Sequence, residues 1–455
     1  MLLTVKAKPK LLSPELLTAS QNTAIDQLYN YDESILIANM GAGKTVISLT
    51  AIAELIAAGE LNRVLVFAPL KVCQTVWRQE RDTWTHLSKL NVEVCGGSPA
   101  QRVKTLGAFT QGIMVINFDV MAWFFSTYKK DHGFEGILID ELSKMKGGGA
   151  GFKKMRRYLD TFRWRVGMTG TPVAEDFEGL FYQTFCVDAG KRFGGNKQKF
   201  LETFFFQADF QGYTYELQRD GAGRIMGLLQ DLIHVVPDYR GELPELISEV
   251  VYVDLPEDAR ALYKEMSKNG EITTSEGVQA ADNAAVLSGK LEQIASGALY
   301  NVDEWGERVS TERVHEAKLS AVAELVHRIN APVIICYWYS HELERLKERF
   351  PTALDLKQVG AMERWNNGEI AILLLQPMSA SHGIELQFGG HNMIYLKPIW
   401  SNDIKSQCDA RIWRKGQLSA VTVYEIVARD TVDEMIIDRV EGKKKFEELF
   451  NALVR

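Results

Sequence analysis

The sequence lacks the features of a membrane protein or of a protein from an oxidising compartment. Its 455 residues include five scattered cysteines and no C-x-x-C pair, which indicates neither a zinc site nor a disulfide framework. No run of about 18 apolar residues occurs, and the N-terminal segment MLLTVKAKPKLL has no continuous apolar core. We therefore expect a cytoplasmic protein that is neither exported nor inserted into a membrane.

An overall excess of positive charge is also missing. The formal net charge is −7, which argues against a protein that coats nucleic acid by charge alone. One stretch departs from this balance: residues 144–165, here called the basic segment, contain eight lysines or arginines and one acid, Asp160. Such a run is either a solvated helix face or a surface that contacts a phosphate backbone, and both interpretations stay open.

The order of apolar and helical segments predicts an α/β protein with two similar domains, which the length also favours. Five apolar runs between Ser34 and Thr171 are typical of buried parallel strands: SILIANM, RVLVFAPL, IMVINF, GILIDEL and WRVGMTGTP. Four more follow Ala331: PVIICYWY, IAILLLQP, NMIYLKP and VTVYEIVA. We predict domains at 1–245 and 246–455. The first would carry helical decoration at about 180–240 with a turn near 220–223, and the second a helical insertion at about 257–325 with a loop near 271–283.

The segment GAGKT, residues 41–45, follows the apolar run ILIAN and opens a predicted helix, as a phosphate-binding loop requires. The backbone N–H groups of such a loop bind phosphate, and the loop residues here are Met40, Gly41, Ala42 and Gly43. Lys44 is expected to reach the β- and γ-phosphates of ATP, and the Thr45 hydroxyl to bind Mg²⁺. A structural turn that binds no nucleotide is the alternative.

Two acids end the apolar run GILIDEL. Asp140 is expected to coordinate Mg²⁺, and Glu141 to orient and deprotonate the attacking water. Because the pair follows a phosphate-binding loop by about 95 residues, a hydrolytic site is favoured over a solvated helix cap. The next run, ending in MTGTP, supplies Thr169, Gly170 and Thr171, which either link the γ-phosphate region to a DNA-facing surface or form a simple turn.

The segment QCDARIWRKGQ, residues 407–417, carries Arg411 and Arg414. Phosphoryl transfer is accelerated by positive charge on the transferred group, so these are candidate arginine fingers that one domain supplies to a nucleotide held by the other. An exposed basic helix is the alternative, because arginines at i and i+3 share a helix face.

Taken in order, these segments resemble the superfamily II helicase-like motors, and among them the Swi/Snf-type translocases of double-stranded DNA. The resemblance extends from Gln21 to about Lys443 and is most specific at residues 407–417. Within the family, the sequence looks most like compact bacteriophage or prophage members. It implies two RecA-like P-loop domains that use ATP and Mg²⁺. It also implies an adenine contact for Gln21 and a nucleotide contact for Gln407. The acidic motif departs from the family, since Leu-Ser stands where Ala-His is usual.

The resemblance further implies DNA as the partner, with duplex favoured and little sequence specificity. The implied contacts are Pro69 and Lys71 in VLVFAPLKVCQTVWRQE, Asn117 in INFDVM, and Ser379, Ser381 and Gly383 in LLLQPMSASHGIELQ. The basic segment adds Lys153, Lys154, Arg156 and Arg157.

Four other interpretations compete with a duplex translocase. A strand-separating helicase of the same superfamily is the closest, although nothing in the sequence marks a wedge hairpin. A DEAD-box RNA helicase and a viral packaging motor fit the motifs less well. An ATP-gated DNA-binding scaffold without motor activity belongs to a different class, and the presence of Lys44, Glu141, Arg411 and Arg414 argues against it. A monomer is sufficient for the chemistry, and any protein partner in replication, repair or recombination stays open.

Overall fold

The computed structural model describes two units that divide at about residue 240. The described residues are 11–39, 41–170, 177–208, 215–237, 243–274, 277–281, 283–303, 305, 307–379 and 384–439. Across these ranges, no helix combines the length and the apolar character that crossing a bilayer demands.

The first unit alternates helices and strands over most of its length. In chain order its elements are α1 (Ala19–Asn30), β1 (Glu33–Ile37), α2 (Lys44–Ala57), β2 (Arg63–Ala68), a π-helical turn (Val72–Val76), α3 (Trp77–Thr83), β3 (Val92–Cys95), α4 (Pro99–Ala108), β4 (Gly112–Asn117), α5 (Met121–Thr127), β5 (Gly136–Asp140), α6 (Ala150–Met155), β6 (Trp164–Thr169), α7 (Leu180–Asp188), α8 (Lys197–Phe204), β7 (Phe205–Gln207), β8 (Tyr215–Leu217), α9 (Gly221–Leu229) and β9 (Ile233–Val235). The five predicted strands of this unit are confirmed as β1, β2, β4, β5 and β6.

Seven of these strands form one parallel sheet in the order β3-β4-β2-β5-β6-β1-β9. Successive side chains of β2 alternate between two apolar clusters, with Leu65 and Phe67 in one and Val64 and Val66 in the other. Because adjacent residues of a strand point to opposite faces, the sheet is buried on both sides. Continuous apolar runs are therefore the correct signal for its strands.

The prediction of helical decoration at about 180–240 is incomplete, because this region also contains strands. Helices α7, α8 and α9 are present, but β7 and β8 pair as an antiparallel ladder and β9 joins the edge of the main sheet beside β1. The predicted turn near 220–223 is also displaced, since α9 already begins at Gly221. Strands of three residues are too short to show an alternating pattern in the sequence, which explains the error.

The second unit repeats the α/β plan. In chain order its elements are β10 (Leu246–Val253), α10 (Glu257–Asn269), β11 (Glu271–Thr274), β12 (Gly277–Ala280), α11 (Ala284–Ala295), β13 (Ala298–Val302), β14 (Arg308–Arg313), α12 (Ala317–Ile329), β15 (Val333–Cys336), α13 (Ser340–Arg349), β16 (Leu354–Asp355), α14 (Ala361–Asn366), β17 (Ile372–Leu375), β18 (Asn392–Tyr395), α15 (Asn402–Asp409) and β19 (Val421–Ala428). A parallel sheet runs in the order β10-β19-β18-β15-β17-β16 and contains the four predicted strands as β15, β17, β18 and β19.

The predicted helical insertion of the second unit contains two antiparallel strand pairs. The segment expected to be a loop near 271–283 forms the pair β11–β12, and β13 pairs with β14 farther along the chain. These short strands contain many polar residues, so their sequences are typical of a loop or of a helix end rather than of a strand.

Candidate functional site

Three neighbouring strands of the first unit bring the predicted chemical groups to one edge of the sheet. The sheet order places β5, β6 and β1 side by side. Ile37 pairs with Thr169 at the ends of β1 and β6, and Asp140 pairs with Met168 between β5 and β6. The residues that follow these strands therefore meet at the carboxyl edge of a parallel sheet, where α/β proteins place their ligands.

The loop between β1 and α2 has the backbone that its glycines allow. Gly41 and Gly43 adopt φ values of 82° and 84°, in the left-handed region that favours glycine. A Cβ added to Gly43 would lie 2.4 Å from Nε2 of Gln21, so a larger residue would displace the Gln21 carboxamide and would also be strained at this φ. Gly43 is also the N-cap of α2 and has no side chain to cap it. The first N–H groups of the helix can thus serve an anion. Met40 lies outside the described residues.

Lys44 is the first residue of α2 and lies near both acids. Its Nζ donates a hydrogen bond of 2.7 Å to the carbonyl oxygen of Ala38, which folds the side chain back over the loop. Burial lowers the pKa of the Lys44 ammonium, while the carboxylates of Glu141 and Asp140 act in the opposite direction. The positive charge of Lys44 and the negative charges of Asp140 and Glu141 therefore interact beside the loop.

Asp140 ends β5 in a largely dry environment. Its side chain is buried, and its Oδ2 accepts a hydrogen bond of 2.9 Å from Nε1 of Trp77. Burial raises the pKa of the Asp140 carboxyl to about 6, and the bond from Trp77 and the nearby Lys44 oppose that rise. Trp77 was not singled out from the sequence, although it lies within the segment that suggested a DNA contact.

Glu141 adopts a backbone conformation that is rare for a residue with a side chain. Its φ and ψ are 85° and 69°, in the left-handed region. Residues held in such sparsely populated conformations cluster at functional sites. Its Oε1 accepts hydrogen bonds from the hydroxyls of Ser143 at 2.7 Å and Thr169 at 3.1 Å. Ser143, one of the two residues that depart from the family pattern, thus has a specific role in holding Glu141.

Thr169, from the predicted Thr-Gly-Thr group, contacts the acidic pair. It is fully buried at the end of β6, and Gly170 follows it in a partly exposed position. Thr171 lies outside the described residues.

Gln21 supports the loop through its own carboxamide. It is the third residue of α1, where its Oε1 accepts from the backbone N–H of Thr18 at 2.9 Å in a capping box. Its Nε2 donates to the carbonyl oxygen of Ala42 at 3.0 Å. The residue predicted to contact adenine thus lies against the loop that precedes α2.

A fit for nucleotide and Mg²⁺ follows from these residues. Within the described ranges, no group of three or more His, Cys, Asp or Glu is arranged to hold a metal by itself. Mg²⁺ commonly takes only one or two protein ligands and completes its shell with phosphate oxygens and water. The partly exposed Thr45 near the start of α2 and the carboxylate of Asp140 suit that kind of shared site.

The candidate arginine fingers lie in the second unit, just beyond α15. The alternative of an exposed basic helix is wrong, because α15 ends at Asp409 and Arg411 is buried with 7% of its surface exposed. Among the described residues, no acceptor lies within hydrogen-bond distance of Nε or Nη2 of Arg411. Burial and the neighbouring Arg414 lower the pKa of Arg411, yet a guanidinium stays protonated.

Arg414 differs from Arg411 in being paired. Its Nη2 lies 2.9 Å from Oε1 of Glu385, and a quarter of its side chain is exposed. Gln407 is partly exposed on α15. Gln417, three residues after Arg414, is buried. It donates to the backbone oxygens of Gln387, Gly390 and Ile412, so it stabilises the turn that carries the arginines.

Two candidate DNA contacts of the first unit meet at one edge of the sheet. Ala68, which precedes Pro69, pairs with Asn117 between β2 and β4. Lys71 is exposed shortly after β2, whereas Asn117 donates to Asp119 at 3.0 Å and is partly exposed. In the second unit, the hydroxyl of Ser379 donates to the carbonyl oxygen of Gln376 at 2.7 Å. Ser381 and Gly383 lie outside the described residues.

The basic segment divides into exposed and structural residues. Lys153, Lys154 and Arg157 are exposed on or just after α6. Arg156 is partly occupied, since its Nη2 donates to the carbonyl oxygen of Gly195 at 2.9 Å and its guanidinium lies 4.8 Å from the Phe185 ring centroid.

Arg165, also in the basic segment, is a structural residue. It is buried, donates to the carbonyl oxygen of Val187 at 2.6 Å and pairs with Glu33. The count of cations in the sequence therefore overstates the charge that faces solvent.

Comparison with known proteins places these features in a family. The model of the SNF2-related domain matches residues 21–297. The chain is 30% identical over 450 residues to putative protein p41 of Acyrthosiphon pisum secondary endosymbiont phage 1, covering 94% of this chain and 96% of p41. It is 23% identical to the DNA repair and recombination protein RAD54-like of Gallus gallus, covering 90% of this chain and 63% of that protein.

Among solved structures, the SWI2/SNF2 ATPase core of Sulfolobus solfataricus in complex with dsDNA is 19% identical, with a TM-score of 0.46 and 96% of each chain covered. The family match spans more than half of the chain and, with the two parallel sheets, confirms the predicted fold of two RecA-like α/β domains. It also supports an ATPase. The chain belongs to the SNF2-related domain family.

Proposed function

We propose that this protein is an ATP-dependent translocase of double-stranded DNA. The observation that carries the proposal is the convergence of Lys44, Asp140 and Glu141 at the carboxyl edge of the first sheet. Membership of the SNF2-related family supports ATP as the fuel. The name of the RAD54-like relative, a DNA repair and recombination protein, favours DNA as the track.

In this proposal the first unit holds the nucleotide. The loop before α2 and the N-terminus of that helix bind the phosphates, because their N–H groups carry partial positive charge. Lys44 exchanges its bond to Ala38 for phosphate oxygens. Gln21 contacts the adenine.

Glu141 is assigned to the attacking water. Two hydroxyls hold one of its carboxylate oxygens, so its orientation is set before the substrate arrives. A fixed carboxylate can position the water in line with the γ-phosphate and accept its proton. Thr45 and Asp140 are assigned to Mg²⁺, which when bound neutralises the charge on the phosphates.

Arg411 and Arg414 of the second unit are assigned to the same nucleotide. Among the described residues, Nε and Nη2 of Arg411 are buried without an acceptor, which is costly, so the arrangement favours an anionic partner. Charge on the transferred phosphoryl group is what an arginine finger stabilises. The assignment makes hydrolysis depend on both units, as a motor cycle requires. Gln407 is assigned to the nucleotide as well.

The DNA contacts are assigned to phosphates. One set of candidate contacts lies at one edge of the first sheet: Pro69, Lys71 and Asn117. A second set carries exposed positive charge and follows the acidic pair closely in the sequence: Lys153, Lys154 and Arg157. Contacts to phosphate position a protein without reading sequence, so we expect little sequence preference and strong salt dependence. The relative p41 comes from a phage, which favours a phage or bacterial setting for this protein. In that setting the proposed motor acts in replication, repair or recombination.

The test is the steady-state ATPase rate measured in parallel without nucleic acid, with duplex DNA, with single-stranded DNA and with RNA. The proposal predicts the strongest stimulation by duplex DNA. Stronger stimulation by single strands would instead identify a strand-separating helicase, and a response to RNA alone would refute a DNA motor. Lys44→Ala and Glu141→Gln are the matched inactive variants; if the wild type hydrolyses no faster than either, the protein is not an ATPase motor.

A further inference from the structure

The indole of Trp77 makes a specific contact with the acidic pair. Trp77 is the first residue of α3, and none of its surface is exposed. Its Nε1 donates to Oδ2 of Asp140 across 2.9 Å. An indole N–H can only donate, so this bond occupies one carboxylate oxygen and leaves the other, Oδ1, for a different partner.

A second buried tryptophan shows that this choice of acceptor is not a general need of the fold. Trp164 on β6 is 2% exposed, and its Nε1 donates to the backbone carbonyl oxygen of Leu28 at 3.0 Å. A buried indole N–H needs an acceptor, and a backbone carbonyl satisfies it without burying a charge. Trp77 instead faces a carboxylate, which is costly to bury unless it is hydrogen-bonded. The contact thus satisfies the indole N–H and at the same time stabilises the buried Asp140 carboxylate.

We infer that Trp77 is a positioning residue that holds the Asp140 carboxylate in the orientation that binds Mg²⁺ together with the nucleotide. The inference rests on the proposed function, because that function assigns Mg²⁺ to Asp140. Groups that hydrogen-bond to a metal ligand orient it, and their loss commonly weakens metal binding about 10- to 100-fold. The rigid packing of a fully buried indole makes it well suited to this task.

The test compares Trp77→Phe with Trp164→Phe, which removes an equally buried indole N–H from the same unit. The readout is binding of a fluorescent ADP analogue, N-methylanthraniloyl ADP, measured in EDTA and then over a Mg²⁺ titration. In EDTA we expect the wild type and both variants to bind alike. The Mg²⁺ concentration that gives half of the affinity gain rises about tenfold or more in Trp77→Phe and stays at the wild-type value in Trp164→Phe.

Equal Mg²⁺ dependence of the two variants overturns the inference while leaving the proposed function intact. A wild type whose ADP affinity does not respond to Mg²⁺ overturns the inference together with the assignment of Mg²⁺ to Asp140. If Trp77→Phe does not fold, 3-benzothienylalanine at position 77 keeps the shape of the ring and lacks the N–H. That protein should show the same rise in the required Mg²⁺ concentration, and a wild-type titration would equally overturn the role of Trp77.

Discussion

The hydroxyl of Thr169 donates a hydrogen bond to Oε1 of Glu141 across 3.1 Å. Thr169 ends β6, whereas Glu141 follows β5, so the bond joins two neighbouring strands at the edge where the candidate site lies. Ser143 donates to the same oxygen. The carboxylate assigned to the attacking water is thereby held from two directions.

Replacing Thr169 with valine keeps the shape of the side chain and removes the hydroxyl. We expect kcat for ATP to fall about tenfold, because a hydrogen bond to a charged group contributes about 1.5–3 kcal/mol. KM should stay nearly unchanged, because this bond orients the Glu141 carboxylate toward the attacking water and does not hold ATP. Steady-state ATPase kinetics measure the effect, with Thr169→Ser as the control that keeps the hydroxyl. An unchanged kcat in Thr169→Val would show that the bond is irrelevant to hydrolysis.

The two arginines of the second unit are expected to differ in their contribution. Arg411→Ala should lower kcat about 1,000-fold or more, as loss of an arginine finger does, while ADP binding changes only slightly. Arg414→Ala should have a smaller effect, because Arg414 is already paired with Glu385. Lys415→Ala, at an exposed neighbouring position, is the control. Near-normal turnover in Arg411→Ala would remove it from the site.

The exposed part of the basic segment is expected to bind phosphates. The triple variant Lys153→Gln, Lys154→Gln and Arg157→Gln should weaken duplex binding and reduce the slope of log K against log salt by about 0.9 for each phosphate that is no longer neutralised. Arg156 is left in place because it contacts Gly195 and Phe185 within the fold. Charge reversal at Lys153, Lys154, Arg156 and Arg157 should weaken binding further.

The matched control for this triple variant neutralises three exposed lysines elsewhere in the same unit, Lys89, Lys104 and Lys130. Fluorescence anisotropy with a labelled duplex over a salt series measures both proteins. If the two triple variants show the same affinity and slope, the basic segment is a solvated surface and not a DNA contact.

His132 is expected to make the stability of the first unit depend on pH. Burial, assisted by the nearby Arg63 cation, lowers the pKa of His132 to about 4. Its Nδ1 accepts from the N–H of Phe134, and its Nε2 lies 2.7 Å from the hydroxyl of Thr161, which fits the neutral ring. Below pH 6.5 His132 binds a proton in the unfolded chain but not in the folded chain. The free energy of unfolding therefore falls as pH drops toward 4, by about 3 kcal/mol in the limit.

Thermal unfolding midpoints of the wild type and His132→Gln between pH 7 and pH 4 measure this contribution. The decline with falling pH should be shallower in His132→Gln, and His327→Gln, at an exposed position, should follow the wild type. Parallel curves for the wild type and His132→Gln would contradict the assignment.

The buried strands and the phosphate-binding loop were predictable because their signals are local. Strands such as β2 and β5 are buried on both faces, and a continuous apolar run reports that directly. The loop at Gly41–Gly43 was predictable from its two glycines, which adopt positive φ values without the strain that a side chain would cause. The strand pairs β11–β12 and β13–β14 escaped prediction, because short polar ladders have no apolar alternation to reveal them.

The contacts within the site were not predictable, because they join residues far apart in the sequence. The bond from Trp77 to Asp140 spans 63 positions, and Arg165 pairs with Glu33 across 132. Charge counting placed Arg165 in the basic segment, for which a solvated face and a phosphate contact both stayed open, although its guanidinium is buried. Residue type alone thus located the acidic pair, but only the packed structure shows which side chains hold it.

Displacement of the third strand from a DNA triplex is the measurement that tests the central claim most directly. A motor that moves along a duplex strips a bound third strand ahead of it, and this requires ATP hydrolysis. The account predicts displacement with ATP by the wild type and none by Lys44→Ala or with a non-hydrolysable ATP analogue. Duplex-stimulated hydrolysis by the wild type without any displacement would contradict translocation.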